Sequence, residues 1–384
     1  MITRIQKLQE YGQSVWYDNI SRDLINNGSF NKLIEIGVVG LTSNPTIFEK
    51  AIGAGSAYDD QIRELVKGDK NAEEIFTELA IQDIRNVADL FRPIYEKTNG
   101  TDGFVSIEVS PLLAHDQEAT LVEARRFYEI LARPNIMIKV PATPEGVPAV
   151  EALIGEGINV NVTLIFSLQA YQDVARAYIR GLQKLAASGK KPLDRVASVA
   201  SFFVSRVDVL VDDLLEKKIA ATDDAAEKAE LESLLGKSAI ANSKLAYEKF
   251  KEIFSEAEFE ELRQKNAHPQ RVLWASTSTK NPKYRDILYA EELVGPETVD
   301  TMPPQTVDAF NDHGEVASTL DIGYQEAHQI IARLGKVGIS IDQVTDQLLA
   351  EGVEKFADSF NQLLAGVEKK RQKLVDELQQ VGKL

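Results

Sequence analysis

Eight short runs rich in β-branched residues recur along this chain, each parted from the next by sequence of helical character. That alternation constrains the fold more than any other feature. The runs are SVWYD (14–18), GVVGLTS (37–43), GFVSIEVS (103–110), NIMIKVPA (135–142), INVNVTLIF (158–166), RVASVASFFV (195–204), RVLWAS (271–276) and ETVDTMP (297–303). After the fifth, Leu168, Tyr171, Val174, Ala175, Tyr178, Ile179 and Leu182 repeat at helical spacing, and Ser167 stands where an N-cap belongs. Strand and helix alternating eight times predict an α/β fold, a parallel (β/α)8 TIM barrel. The rival is an open doubly wound sheet, which usually carries a Gly-rich phosphate loop after its first strand; none is present.

Two intervals break the rhythm. About 66 residues separate the sixth and seventh runs, more than one crossover needs, and they read as added helices over about 207–266. Their charged tract reads as a solvated helix face, with a cap over the site as the sharper alternative. Beyond the eighth run, about 324–384 reads as an exposed helical extension with a packing or dimer role. No linker or second domain interrupts the chain, so 1–384 is expected to form one barrel domain.

The composition narrows the function. There are no cysteines, which excludes disulfides, thiolate metal sites and cysteine nucleophiles and fits a reducing, cytoplasmic location. The four histidines are scattered without metal-ligand spacing, so no metal is expected. A net charge of −16 disfavours a nucleic-acid partner. The start of the chain does not read as a signal peptide, and no apolar run approaches the roughly 18 residues that span a membrane. Phosphate chemistry, if present, must rely on a few local cations.

Polar residues stand where a barrel strand should be apolar. INVNVTL alternates, with Val160, Val162 and Leu164 toward the helices and Asn159, Asn161 and Thr163 toward the interior. The third run turns Ser106, Glu108 and Ser110 inward, the fourth Met137 and Lys139, and the first ends in Asp18. Asp18, Glu108, Lys139, Asn161 and Thr163 thus converge near the C-terminal ends of different strands, where barrel enzymes keep their active sites. Taken singly, Asp18 and Asn44 read as caps or turn residues, and Thr163 as a good strand former. Lys139 between Ile138 and Val140 is costly unless paired, and a structural ion pair with Glu108 is its plain alternative. The pattern across several strands favours chemistry.

An amine taken out of water disfavours its charged form, and the neutral form can attack a ketone to give a Schiff base. The protonated imine is an electron sink that lets a carbon–carbon bond break without a metal. Glu108 is the expected proton shuttle at the imine, with Thr163 holding a water, and Asp18 the acid/base at the released hydroxyl. Asn44 and Asn161 suit the substrate hydroxyls. Arg206, just past the sixth run, and Ser276 and Lys280 in ASTSTKNP suit a phosphate, although that loop also reads as an ordinary polar turn.

At these residues the chain resembles the transaldolase family. TSNPT (42–46) resembles its strand-two signature, IKVPAT (138–143) its Schiff-base lysine motif and INVNVTLIFS (158–167) its strand-five signature. SFFVSR (201–206) resembles its Ser-x-Phe-x-x-Arg segment and WASTSTKNP (274–282) its seventh-strand phosphate segment. The likeness runs from about 10 to 325. It implies Lys139 as the Schiff-base residue, Asp18 and Glu108 as acid/base carboxylates, Asn44, Asn161 and Thr163 as substrate- and water-positioning groups, Ser201 at a terminal hydroxyl, and Arg206 and Ser276 at the phosphate. It further implies transfer of a dihydroxyacetone unit from sedoheptulose 7-phosphate to glyceraldehyde 3-phosphate, in the non-oxidative pentose phosphate pathway and without a cofactor. Sugar phosphates would be the partners of a monomer or homodimer. Many members carry Arg where this chain has Ser278, leaving Lys280 to supply that charge. The insertion and tail resemble the longer members.

Two other functions fit parts of this pattern. A fructose 6-phosphate aldolase would release the three-carbon unit; those relatives are shorter and carry Tyr where this chain has Phe203, which cannot donate a proton. A catalytically silent barrel acting as a regulatory partner would have no reason to keep Asp18, Glu108 and a buried, unpaired Lys139. A Rossmann-type oxidoreductase is more distant still.

Overall fold

The computed structural model describes residues 2–380. Its strands are β1 (Gln13–Asp18), β2 (Val38–Thr42), β3 (Val105–Glu108), β4 (Ile136–Pro141), β5 (Val160–Ile165), β6 (Ser198–Phe203), β7 (Arg271–Ala275) and β8 (Thr298–Met302). Seven lie inside their runs, and β1 begins one residue before its run, at Gln13. Every neighbour pair is parallel, and β8 pairs with β1, so the sheet closes. Helices fill the crossovers, and the expected (β/α)8 barrel is what forms. Ser167 accepts the Ala170 N–H at 3.0 Å and opens the helix Leu168–Ser188, whose apolar face is buried as its spacing requires.

Register aligns the polar row. Glu108 pairs with Lys139 across β3–β4, and Lys139 with Asn161 across β4–β5. In β5, Asn161 bonds to Ser106 and Ser201 across the barrel interior, while Val160 and Val162 are fully buried beside it. The alternation then fails at Leu164. The ladder to β6 shifts between Val162 and Ile165, and Leu164 takes a left-handed backbone with φ of 59°. Leu164 therefore does not face the crossover helices as the alternation predicted; it meets Gly352 of the final helix. Asn159 is not part of the site row, because its amide closes the strand bottoms on Pro134, Ile136 and Ala197. Ser110 lies past the end of β3, outside the inward row, where its N–H donates to Glu123.

The insertion keeps the solvated helix face the sequence favoured for its charged tract, whereas the extension departs from its exposed reading. The segment after β6 forms helices Ser205–Ala221, Ala225–Glu232, Ser238–Ile253 and Ala257–Arg263. Ser238–Ile253 packs against β7 and the helices Leu168–Ser188 and Tyr324–Lys336, on the barrel flank. It does not cap the mouth. The extension, read as exposed, is instead half-buried. Its 40-residue helix Ile341–Gln380 lays Gly352, Phe356, Phe360, Leu363 and Val367 against the helices Pro45–Gly53, Asp59–Val66 and Ala72–Lys97 and against β5. Ser359 accepts from Thr46 at 2.9 Å, and Lys370 reaches Gly55 and Asp59. The tail, not the insertion, walls the C-terminal mouth.

Candidate active site

A cavity of about 630 Å³ opens at the C-terminal ends of the strands, lined by Asp18, Lys139, Thr163, Ser201 and Arg206 among others. A parallel barrel places its strand ends and loops here, so residues distant in sequence converge. Lys139 sits in β4 with its residue 5% exposed. Its Nζ donates to the Ser43 carbonyl at 3.2 Å and lies 3.3 Å from Glu108 Oε2. The amine is therefore not unpaired, as the sequence had suggested. The pair does not seal it off, because Lys139 also faces the cavity. Glu108 Oε2 accepts no well-aligned hydrogen bond, and Thr163 Oγ1 is likewise buried and without a partner among the described residues. Two unsatisfied buried oxygens, one of them 3.3 Å from the amine, are expensive in a purely structural arrangement and suit a site that receives water or substrate.

Both carboxyls are tuned by burial. Desolvation pushes Glu108 above the usual carboxylate range; the Lys139 charge opposes this, and Asp18 adds to it. Desolvation likewise pushes Asp18 up, against Lys139, the Thr42 hydrogen bond and Lys280. Thr42 donates to Asp18 Oδ1 at 2.7 Å, which obliges the Thr301 hydroxyl, 2.6 Å away, to donate to Thr42. This Thr301–Thr42–Asp18 chain fixes which carboxylate oxygen remains free for chemistry. Sequence reading missed both threonines, although each sits at the end of a run it had identified. It also missed the Ser43 carbonyl, whose role needs coordinates.

A cationic shelf occupies another wall. Arg206 lies between the Phe203 and Phe356 rings, 5.1 and 5.9 Å from their centroids, and lines the cavity with Lys280, Ser276 and Ser278. Burial disfavours the Arg206 charge, and Glu351 offsets part of that. Lys280 is pushed down by burial and then by Arg206, with Asp18 opposing. Neither cation forms an ion pair among the described residues, and Lys280 donates only to Ser278. Two neighbouring cations, Arg206 half-buried and Lys280 exposed, with no carboxylate in contact, are a combination that suits an anion. Ser276 takes a left-handed backbone with φ of 58° and shares a 2.9 Å hydroxyl contact with Ser205. Strain at such a position is typical of loops shaped by function.

The remaining expected residues divide by depth. Ser201 and Phe203 line the cavity, and Phe203 packs on Phe166 with centroids 5.1 Å apart. Asn44 also lines it, and its Oδ1 accepts the Ile47 N–H at 3.0 Å, so the residue is a helix cap placed at the cavity wall. Asn161 is fully buried, donating to Ser106 and accepting from Ser201 at 2.7 Å. Its amide reaches the cavity through Ser201 only. Phe356, from a helix the sequence assigned no site role, completes the wall. No group of three or more His, Cys, Asp or Glu among the described residues could hold a metal, and no described helix is long and apolar enough to cross a membrane.

Fold and site together define a (β/α)8-barrel enzyme whose polar pocket holds a buried lysine and two further cations. A family model described as transaldolase/fructose-6-phosphate aldolase matches residues 15–367. Similar curated proteins are a transaldolase of Trichodesmium erythraeum, 46% identical over 97% of this chain and 99% of the relative. Others are transaldolase 2 of Nostoc sp., 48% identical over 96% of this chain and 98% of the relative, and a transaldolase of Thermobifida fusca, 47% identical over 94% and 96%. The chain belongs to the transaldolase/fructose-6-phosphate aldolase family.

Proposed function

We propose that this chain is a transaldolase that moves a dihydroxyacetone unit between sugar phosphates through a Schiff base on Lys139. The observation that carries this is a buried amine facing an open cavity, with one raised carboxyl beside it and a second within its field. Lys139 Nζ adds to the ketose C2 carbonyl. Glu108 supplies and recovers the protons that let the carbinolamine lose water, with Thr163 positioning that water. Asp18 takes the proton from the C4 hydroxyl as the C3–C4 bond breaks. The aldose departs, and the electron pair rests in the enamine. An acceptor aldehyde then bonds to that carbon, Asp18 returns its proton, and hydrolysis frees the new ketose. Asn44 and Ser201 suit the sugar hydroxyls, with Asn161 orienting Ser201. Arg206, Ser276 and Lys280 suit the phosphate, Lys280 filling the place where many relatives have Arg.

The natural partners are sedoheptulose 7-phosphate and glyceraldehyde 3-phosphate, in the cytoplasmic non-oxidative pentose phosphate pathway. Every residue in this scheme comes from one chain, consistent with a monomer or a homodimer of independent sites. The family also contains aldolases that release the three-carbon unit. Phe203 favours transfer here, because its ring has no proton to give the enamine. The test is borohydride reduction in the presence of fructose 6-phosphate, followed by peptide mass analysis. A three-carbon adduct is expected on Lys139. An adduct on another lysine, or none, refutes the mechanism.

A further inference from the structure

We infer that Phe356, on the helix Ile341–Gln380, is a positioning residue that holds Arg206 for the substrate phosphate and shields the bound three-carbon unit from water. The inference rests on the Schiff-base reading above and assigns the C-terminal helix a part in deciding between transfer and release. Phe356 is 6% exposed although it lies at the barrel mouth. One ring approaches two of the cations of the site, its centroid 5.8 Å from Lys139 Nζ and 5.9 Å from the Arg206 guanidinium. Among the described residues no other aromatic ring lies over both. Phe203 takes Arg206 from another side at 5.1 Å, so the guanidinium is held between two rings without a carboxylate in contact.

The helix is built to keep this ring in place. One turn before Phe356, a Cβ on Gly352 would stand 3.1 Å from Leu164 and 3.7 Å from Arg206. A side chain there would press on Leu164, which would have to give by a few tenths of an ångström, so the glycine favours this close approach to β5. One turn after it, Phe360 packs edge-on against Phe76 at 5.8 Å, and Ser359 bonds to Thr46 beside Asn44. Leu164 meets the helix through the left-handed backbone that breaks the β5 alternation. Strand irregularity, missing side chain and aromatic wall thus serve one contact.

The chemical consequence follows from the fate of the enamine. Transfer requires its nucleophilic carbon to wait for an aldehyde. If water reaches it, the carbon takes a proton from that water and becomes the protonated imine of dihydroxyacetone. A second water adds to the imine carbon, the carbon–nitrogen bond breaks, and free dihydroxyacetone leaves the restored amine. The hydroxide left by the first water recovers the proton that Asp18 had taken from the C4 hydroxyl. Atoms balance without a further reactant, so with no side-chain acid supplied by Phe203, access of water to the enamine carbon biases the outcome toward release.

The test uses the full chain with Phe356→Ala and Phe356→Leu. Two quantities are read: dihydroxyacetone released per unit transferred, and KM for fructose 6-phosphate relative to fructose. Phe356→Ala is expected to raise the release ratio about tenfold, since it opens the wall above Lys139. Phe356→Leu keeps much of the apolar bulk but removes the ring face. It is expected to leave release low and to weaken the preference for the phosphorylated sugar by about twofold to thirtyfold, the range of a cation–π contact. A merely structural Phe356 would move neither ratio, and unchanged ratios in both variants overturn the inference. If Phe356→Ala does not fold, Phe356→Leu decides alone, and an unchanged phosphate preference overturns the positioning role. Wild-type protein is assayed alongside. Absence of transfer in the wild type refutes the proposed function itself, whereas transfer with unmoved ratios refutes only the role of Phe356.

Discussion

At Lys139 the physical problem is to keep an amine inside a barrel without surrendering it to its neighbour. Glu108 satisfies its charge at 3.3 Å, yet poor alignment and the open cavity leave the nitrogen free to turn toward a carbonyl. Removing the amine removes the largest influence holding the Glu108 carboxyl down, so burial pushes that carboxyl further up and toward its neutral form. Lys139→Ala is therefore expected to fold, with an unchanged circular dichroism spectrum, and to lose turnover entirely. Residual transfer would make Lys139 structural. Asp18 separates from it by step. Asp18→Asn keeps the Thr42 contact but cannot accept the C4 proton, so cleavage is expected to slow by about 10²–10⁴-fold. Trapping of dihydroxyacetone itself, which needs no C4 proton transfer, should persist; loss of both would place Asp18 at imine formation. Lys139, Glu108 and Asp18 were legible because a charged residue in a β-branched run violates burial unless it is used. Thr42 and Thr301 were not, because threonine in a strand violates nothing, and their relay to Asp18 exists only once β1, β2 and β8 meet.

Among the elements, helix caps and site residues are ordinarily separate, and the loop after β2 merges them. Asn44 caps the helix Pro45–Gly53 and lines the cavity, whereas Ser167 caps Leu168–Ser188 away from the cavity lining. Both caps to Ala should cost about 1 kcal/mol of stability. Only Asn44→Ala should also raise KM for the ketose, because only Asn44 meets the cavity. A denaturation midpoint and a KM measured on each variant check this, and an unaltered KM in Asn44→Ala would reduce that residue to a cap. The strands and the Ser167 helix could be read from period and capping alone, since each depends on near neighbours in sequence. The final helix could not be placed that way. Its apolar positions Gly352, Phe356, Phe360, Leu363 and Val367 show that one face is covered, but the covering surface comes from residues three hundred positions earlier. The segment after β6 carries the same ambiguity, and its most buried helix found the barrel flank instead of the mouth.

For the whole molecule, buried carboxyls outside the site make stability depend on pH in a direction opposite to ordinary acid unfolding. Asp300 in β8 is fully buried, accepts from Thr277 Oγ1 at 2.8 Å, and has its other oxygen unpartnered. Burial pushes it up to about 7. Asp208, in the helix after β6, is pushed up to about 7 by burial as well, although it accepts from Ala239 and Tyr289. Between the unfolded value of about 3.9 and 7, the native protein holds protons that the unfolded chain has released. The slope of unfolding free energy with pH follows protons bound unfolded minus protons bound native, which is negative here. Each group's contribution is thus complete below the unfolded value and lost as pH rises to 7. His313 shifts up through its Asp286 contact and His268 down through burial, so the two act in opposite directions. The exposed carboxylates held low by arginines act only in more acid solution. Asp300→Asn keeps the acceptor for Thr277, stays neutral at every pH, and so removes this loss. Relative to wild type, its stability should improve by about 2 kcal/mol between pH 5.5 and 8, since native Asp300 gives up its proton near 7 and each unit is worth about 1.36 kcal/mol. Urea midpoints for both proteins at the two pH values measure that difference directly, and any fixed cost of the buried amide cancels from it. A difference that does not change with pH would mean that Asp300 is ionised in the native barrel, and that the Thr277 hydroxyl and its surroundings solvate a charge there.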